Sequence, residues 1–208
     1  MIEIKKVSKS IKEQTILKNI TITVKDGNCI GLVGHNGSGK TMLLKAVSGF
    51  TKIDSGEIWV DGKQIVFGKE YIKNTGIILE QPPFITYLTG LENLLILANI
   101  QKKITKEDVI QTLKKVGLSE AQNKKVRNYS LGMKQRLRIA QAIMENPQIL
   151  ILDEPFNGLD KESVKEIQEL LIEYKNKGTT ILLTSHDERH IDYLCDQVYE
   201  LERGELVE

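Results

Sequence analysis

Two short stretches of this 208-residue chain carry the groups that phosphate chemistry needs. The first is Gly34-His35-Asn36-Gly37-Ser38-Gly39-Lys40-Thr41, which fits G-x-x-x-x-G-K-[ST] at each fixed position. Its glycines let the backbone wrap so that successive N–H groups point inward at phosphate oxygens. A helix starting directly behind such a loop adds its N-terminal partial positive charge. Lys40 would neutralise β- and γ-phosphates, and Thr41 would give a hydroxyl to Mg²⁺. The second stretch is Ile149-Leu150-Ile151-Leu152-Asp153-Glu154-Pro155. An apolar strand ending in two acids sets both carboxylates at the carboxyl edge of a sheet, where ligands bind in open α/β folds. Asp153 would hold the metal through water, and Glu154 would orient and polarise an attacking water. The acidic strand end says little alone and much when paired with the phosphate loop.

Together the two stretches define a P-loop nucleoside triphosphatase pattern. A third, Tyr129-Ser130-Leu131-Gly132-Met133-Lys134-Gln135-Arg136, lies just before the acidic strand. It resembles the signature of ATP-binding cassette (ABC) ATPases, commonly Leu-Ser-Gly-Gly-Gln followed by Gln-Arg. Ser130, Gly132, Gln135 and Arg136 match it. Leu131 and Met133 depart from it in a way similar to ABC subunits of drug and peptide-antibiotic exporters. Physically, Ser130 stands at a helix N-terminus, a second place suited to an anion.

The resemblance extends to Gln81 after Ile77-Ile78-Leu79 (the Q-loop glutamine), to Asn157-Gly158-Leu159-Asp160 (the D-loop) and to Thr184-Ser185-His186 (the H-loop). It implies a catalytic set of Glu154, His186 and Lys40, with His186 on the γ-phosphate. It implies nucleotide contacts from Gly34, His35, Asn36, Gly37, Ser38, Gly39, Lys40, Thr41 and Met42, completed by Ser130 and Gly132. His35 itself fills a variable loop position and reads as a solvent-facing spacer. Thr41, Gln81 and Asp153 are the implied metal residues. ATP and Mg²⁺ are the implied cofactors. A second ABC ATPase domain is implied as a head-to-tail partner, each phosphate loop facing the other's Ser130. An integral membrane permease is implied to dock near Gln81 and the helical lobe. The activity implied is ATP hydrolysis powering a membrane transporter, leaning to export, at the inner face of the cell membrane.

Two positions depart from the family. An aromatic that stacks on adenine usually stands where this chain has Ile11, which cannot stack in that way. The Ser or Thr that usually follows Thr41 is Met42. Neither change touches the γ-phosphate chemistry.

The elements that position these residues follow from periodicity. Ile2, Ile4 and Ile20, Ile22, Val24 alternate with polar residues, as half-buried strands do. Asp26-Gly27 and Asp61-Gly62 are turn signals. Residues 1 to about 66 therefore read mostly as strands, with a helix from about Thr41 to Ser48 behind the Gly-rich loop. Trp59 reads as core or cross-strand packing. The middle, about 85 to 145, reads as helical. Thr89-Gly90-Leu91-Glu92 has capping-box spacing, and Leu91, Leu94, Leu95 and Ala98 follow at helical spacing. Further helices are expected near 105–116, ended by Gly117, and from about Ser130 to Met144. The lysine pairs at 102–103, 114–115 and 124–125 read as solvated faces. Ile149–Leu152 and Ile181–Leu183 are continuous apolar runs, as buried parallel strands require, with a helix over 161–176 between them. Strand, helix, strand implies right-handed crossovers in a parallel sheet. The resulting fold class is α/β: a mainly parallel core sheet, an N-terminal antiparallel β subdomain and an inserted helical lobe. Residues 1–208 read as one ABC nucleotide-binding domain.

Composition narrows the function classes. Lys plus Arg is 29 and Asp plus Glu is 28, a net charge of +1. That balance disfavours a dedicated nucleic-acid binder, and no nucleic-acid partner is expected. Two cysteines, Cys29 and Cys195, exclude a disulfide-dense scaffold and read as small buried hydrophobes. The first ten residues lack the apolar stretch of a signal peptide, and no apolar run approaches a membrane span. The reading is a soluble intracellular chain with peripheral membrane contact. ABC-type ATPases acting on DNA or ribosomes usually carry coiled-coil insertions or two cassettes, and this chain shows neither. A degenerate regulator without turnover would not need both Glu154 and His186.

Overall fold

The protein is described here by a computed structural model covering residues 1–80, 84–187 and 189–207, with His190 by its backbone alone. The chain opens with β1 (Ile2–Ile11), β2 (Gln14–Val24), β3 (Cys29–Val33), α1 (Lys40–Val47), β4 (Ser55–Val60), β5 (Lys63–Gln64) and β6 (Thr75–Ile78). Three helices follow: α2 (Gly90–Gln101), α3 (Lys106–Lys115) and α4 (Leu131–Ile143). The chain continues through β7 (Ile149–Leu152), α5 (Lys161–Asn176), β8 (Thr180–Thr184), α6 (Arg189–Asp192), β9 (Gln197–Glu202) and β10 (Glu205–Val207).

Alternation in the first two strands does what the period of two demands. β1 and β2 pair antiparallel, with Ile2 opposite Val24 and Ile4 opposite Ile22, all four buried. β4 adds to the other side of β1, so the first sheet runs β2-β1-β4-β5. Half-buried Trp59 lies across from Glu3, a cross-strand position. The second sheet runs β10-β9-β3-β8-β7-β6, parallel except for β10. Every residue of β3, β7 and β8 is buried, as continuous apolar strands covered on both faces should be.

Alternate residues of these strands feed two separate cores. Ile149 and Ile151 of β7 and Leu182 of β8 pack with α1 and the antiparallel sheet. Leu150, Leu152, Ile181 and Leu183 pack instead with α4, α5 and the helical segment between β6 and β7. The phosphate loop thus hangs from a strand clamped on both faces. At roughly 1.5–3 kcal/mol per fully buried aliphatic side chain, that clamp leaves β3 little freedom.

The helical segment forms its own ends. Thr89 and Thr105 each cap a helix with a reciprocal capping box, through Glu92 and Asp108. Gly90 is there for space: a Cβ would stand 2.3 Å from the Tyr129 hydroxyl. Arg136 of α4 ties the segment to the α/β core. Its Nη1 donates to the Val116 carbonyl at 2.8 Å, and its Nη2 to Ser163 Oγ of α5 at 2.6 Å. The lysine pairs at 102–103, 114–115 and 124–125 are exposed, as expected.

Helix boundaries agree closely with periodicity. α5 covers residues 161–176 as expected, and α1 starts one residue earlier than expected, at Lys40. The cysteines add a contact. Both pack in the apolar core as expected, Cys29 fully buried at the start of β3 and Cys195 half-buried before β9, and what the sequence did not show is that their sulfurs lie 3.3 Å apart. The hydrogen bond to Cys195, and then burial, push the Cys29 thiol well up, so it stays protonated.

Candidate functional site

Gly34 to Thr41 turns from the end of β3 into α1, and the turn depends on glycine. Gly39 is the N-cap of α1 with φ +112, and a Cβ there would lie 2.7 Å from the Ile16 carbonyl. No side chain caps α1, so its first backbone N–H groups are left for another acceptor. Ser38 Oγ is buried and has no partner among the described residues. Lys40, 6% exposed, donates from Nζ to the carbonyls of Gly34 at 2.5 Å and His35 at 3.1 Å. It therefore arches over the loop, while His35, Asn36 and Gly37 face solvent. Met42 is half-buried and turns toward the core beneath β1 and β2.

The acids at the end of β7 reach this loop. Thr41 Oγ1 donates to Asp153 Oδ2 at 2.8 Å. Thr184 Oγ1, at the end of the neighbouring strand β8, donates to Asp153 Oδ1 at 2.7 Å. The same Thr184 oxygen accepts the Glu154 backbone N–H at 2.9 Å. Glu154 itself has φ +49, a left-handed conformation that costs a non-glycine residue roughly 1–3 kcal/mol and persists only where its surroundings impose it. Its side chain meets His186, with Oε2 lying 2.9 Å from Nδ1 and 3.3 Å from the backbone N–H.

Three loops thus converge at the carboxyl edge of β3, β7 and β8. The donor set fits the expected groups. An uncapped helix N-terminus, a buried lysine and an unpartnered serine hydroxyl suit phosphate oxygens. The Thr41 hydroxyl and Asp153 carboxylate, 2.8 Å apart, are the hard oxygen ligands that a small divalent cation takes.

The Ser130 segment is a separate place. Ser130 caps α4, its Oγ accepting the Met133 N–H at 3.2 Å, and is exposed. Gly132 packs against the 157–160 loop, where a Cβ on it would lie 3.2 Å from the Gly158 carbonyl. Leu131, 57% exposed, covers Gly158 from the same side. Gln81 lies outside the described residues, and so does the His190 side chain. Ile11, at the β1–β2 hairpin, is 46% exposed.

Sequence reasoning gave no role to Thr184 or Gln135. Thr184 was within reach of it: Leu152 pairs with Leu183 in the parallel ladder, so the residues that follow, Asp153 and Thr184, had to be neighbours. Gln135 stood out only as a match to the signature; its partners Glu154 and Pro155 lie in a different element, so its contacts were not legible.

A strand, a glycine loop carrying Lys40 and Thr41, and an acidic neighbouring strand define the class of P-loop ATP-binding proteins. The family model described as ABC transporter matches residues 17–157. The chain belongs to the ABC transporter family, as an ATP-binding cassette. It is 42% identical over 206 residues to YybJ of Bacillus subtilis (strain 168), an uncharacterized ABC transporter ATP-binding protein, covering 99% of this chain and 94% of that one. It is 32% identical to the lantibiotic transport ATP-binding protein SrtF of Streptococcus pyogenes, covering 100% and 89%. It is 39% identical to the bacitracin transport ATP-binding protein BcrA of Enterococcus faecalis, covering 100% and 68%. Among solved structures, the dimeric post-hydrolysis state of the cassette MJ0796 bound to ADP and Pi superposes with a TM-score of 0.90 at 25% identity, covering 100% and 97%. The fold class expected from the sequence is therefore that of the chain, and so is its class of activity, an ATPase subunit of a transporter. Among the described residues no helix is long and apolar enough to cross a membrane.

Proposed function

We propose that this cassette powers the export of a peptide-like antibiotic or related amphiphile. It would do so as one nucleotide-binding domain seated on the inner face of the membrane through a permease. The export reading rests on similarity to the lantibiotic and bacitracin transport subunits. Docking is supported by apolar side chains left exposed after Gln81 and along α2: Ile85, Tyr87, Ile96 and Ile100.

The observation that carries the chemistry is the chain Thr41–Asp153–Thr184–Glu154–His186. In it Asp153 and Thr41 would hold Mg²⁺, with Gln81 as the third metal residue; the ion would supply positive charge beside the phosphates. Lys40 and the loop N–H groups from Gly34 to Met42 bind and orient the phosphates. Glu154, fixed at both its backbone N–H and its carboxylate, orients the attacking water and accepts its proton. His186, held against Glu154 through Nδ1, would stand beside the γ-phosphate. Ser130 and Gly132 of a second cassette close the site, which makes turnover depend on pairing.

Glu154→Gln keeps the size and removes the charge and basicity. Nucleotide binding should persist. Turnover should fall by about 10²–10⁴, the usual cost of losing a positioned base. An ATP-dependent dimer should then appear on size exclusion. Near-normal hydrolysis in a folded Glu154→Gln protein would remove Glu154 from the mechanism.

A further inference from the structure

A direct connection runs from the helix behind Ser130 to the backbone of Glu154. Gln135, 5% exposed, sits on α4 one and a half turns beyond Ser130. Its Nε2 donates to the Pro155 carbonyl at 2.8 Å and, at 3.4 Å, to the Glu154 carbonyl. Its Oε1 accepts from Arg138 Nη1 at 2.9 Å. Arginine can only donate and carbonyls can only accept, so this amide has one orientation.

Arg138 is 7% exposed, and its Nε has no partner among the described residues. A buried guanidinium with an unpaired donor is costly, and apolar residues of similar size would fill the place at lower cost. The pair therefore does something other than stabilise. What it holds is the most strained stretch of the site. Pro155 has a fixed φ and no N–H, so anchoring its carbonyl and that of Glu154 fixes the peptide planes that follow the carboxylate. Thr184 holds the N–H on the other side. Glu154 is thus gripped between β8 and α4.

We infer that Gln135 is a positioning residue that couples the two nucleotide sites of a cassette pair. The α4 N-terminus meets the nucleotide of the opposing cassette, and Gln135 transmits the position of α4 to Glu154 of its own site. The inference rests on the proposed pairing of Ser130 with the opposing nucleotide and on Glu154 as the catalytic carboxylate.

The test uses the full chain and Mg-ATP turnover. Gln135→Glu keeps the size and the acceptor for Arg138 but cannot donate to the two carbonyls. It should lower kcat about tenfold or more, with KM for ATP and ATP-dependent pairing nearly unchanged; a tenfold loss corresponds to about 1.4 kcal/mol of transition-state stabilisation. Gln135→Leu combined with Arg138→Met, which removes both partners, should show the same split and serves if Gln135→Glu folds poorly. A purely structural role would instead lower Tm and shift kcat and KM together.

Differently tagged subunits then locate the effect. A dimer of Gln135→Glu with Ser130→Arg places both lesions in one composite site, so it should turn over as fast as a dimer of wild type with Ser130→Arg. If Gln135 acted on the opposing site, both sites would be damaged and turnover would fall about tenfold further. That result, or a wild-type kcat in the Gln135→Glu homodimer, would overturn the inference while leaving the cassette reading intact. Normal hydrolysis by Ser130→Arg homodimers would instead overturn the pairing reading, and the inference with it.

Discussion

Among the described residues, the five long helices start in two different ways. α2, α3 and α5 carry acids in their first turns, Glu92, Glu107 with Asp108, and Glu162. Those carboxylates answer the helix's own partial positive charge and its unpaired N–H groups. α1 and α4 carry none. α1 also lacks a side-chain cap, and α4 has only the neutral hydroxyl of Ser130. The first group completes itself internally. The second leaves its positive end for an anion from outside, and these two helices stand behind the phosphate loop and the Ser130 segment. Stability is withheld at the two places where nucleotide is proposed to supply it.

Lys40→Ala should break this comparison most severely. Hydrogen bonds to charged groups contribute about 1.5–3 kcal/mol each, and Lys40 would make two to the phosphates. ATP affinity should fall roughly a hundredfold or more, read by calorimetry with Mg²⁺. Wild-type affinity would mean that the N–H groups of α1 hold the phosphates alone.

Met133→Glu tests α4 by converting it to the self-sufficient kind. Ser130 and residue 133 have capping-box spacing, so the new carboxylate would reach back to the Ser130 N–H. Folding stability should change little: an acid at a helix N-terminus gains about 0.3–1 kcal/mol, offset by the lost packing of half-buried Met133 against the core. Turnover should fall about tenfold, because the carboxylate would face a γ-phosphate from the opposing cassette. A protein of near-native stability with normal turnover would show that no anion approaches α4.

Ile11→Tyr sharpens the comparison at the base rather than the phosphates. An aromatic stack is worth about 0.5–1.5 kcal/mol beyond the area it buries. ATP should bind up to about tenfold more tightly. Exposure of Ile11 at the hairpin leaves room for the ring. Unchanged affinity would mean that residue 11 does not face adenine.

Much of this was legible in the sequence because it is local. The phosphate loop, the acidic strand end and the caps at Thr89 and Ser130 each occupy a few consecutive residues. The helix over 161–176 reads as the segment between two apolar strand runs. What escaped is what joins distant segments. Thr184 bridges Asp153 and Glu154 only once β8 lies beside β7. Gln135 finds Pro155 only once α4 packs over that loop. Cys29 meets Cys195 because β3 pairs with β9, a neighbour that no periodicity announces. The strand order itself is of this kind.

Thr89→Ala is the smallest of these tests and the control for the others. Thr89 Oγ1 accepts the Glu92 N–H at 3.1 Å, and Glu92 accepts the Thr89 N–H at 2.7 Å. Losing a threonine N-cap costs about 0.5–2 kcal/mol. For a chain of this size, roughly 1 kcal/mol lowers Tm by about 2–4 °C. Acid works on the same cap from the other partner. The Thr89 N–H, and then its hydroxyl, hold the Glu92 carboxyl below the usual carboxylate range. A group with a lowered folded pKa contributes stability above its unfolded pKa and loses that contribution as pH falls through the folded one. Wild type should therefore lose part of the α2 cap on acidification. Thr89→Ala, with the hydroxyl's share already gone, should lose less. The difference in Tm between the two should narrow from neutral to acid pH. The ATPase rate per folded molecule should not change at neutral pH, because this helix keeps its positive end for itself. A Thr89→Ala protein of near-native Tm but impaired turnover would show that α2 belongs with α1 and α4, and that the division drawn between the helices is wrong.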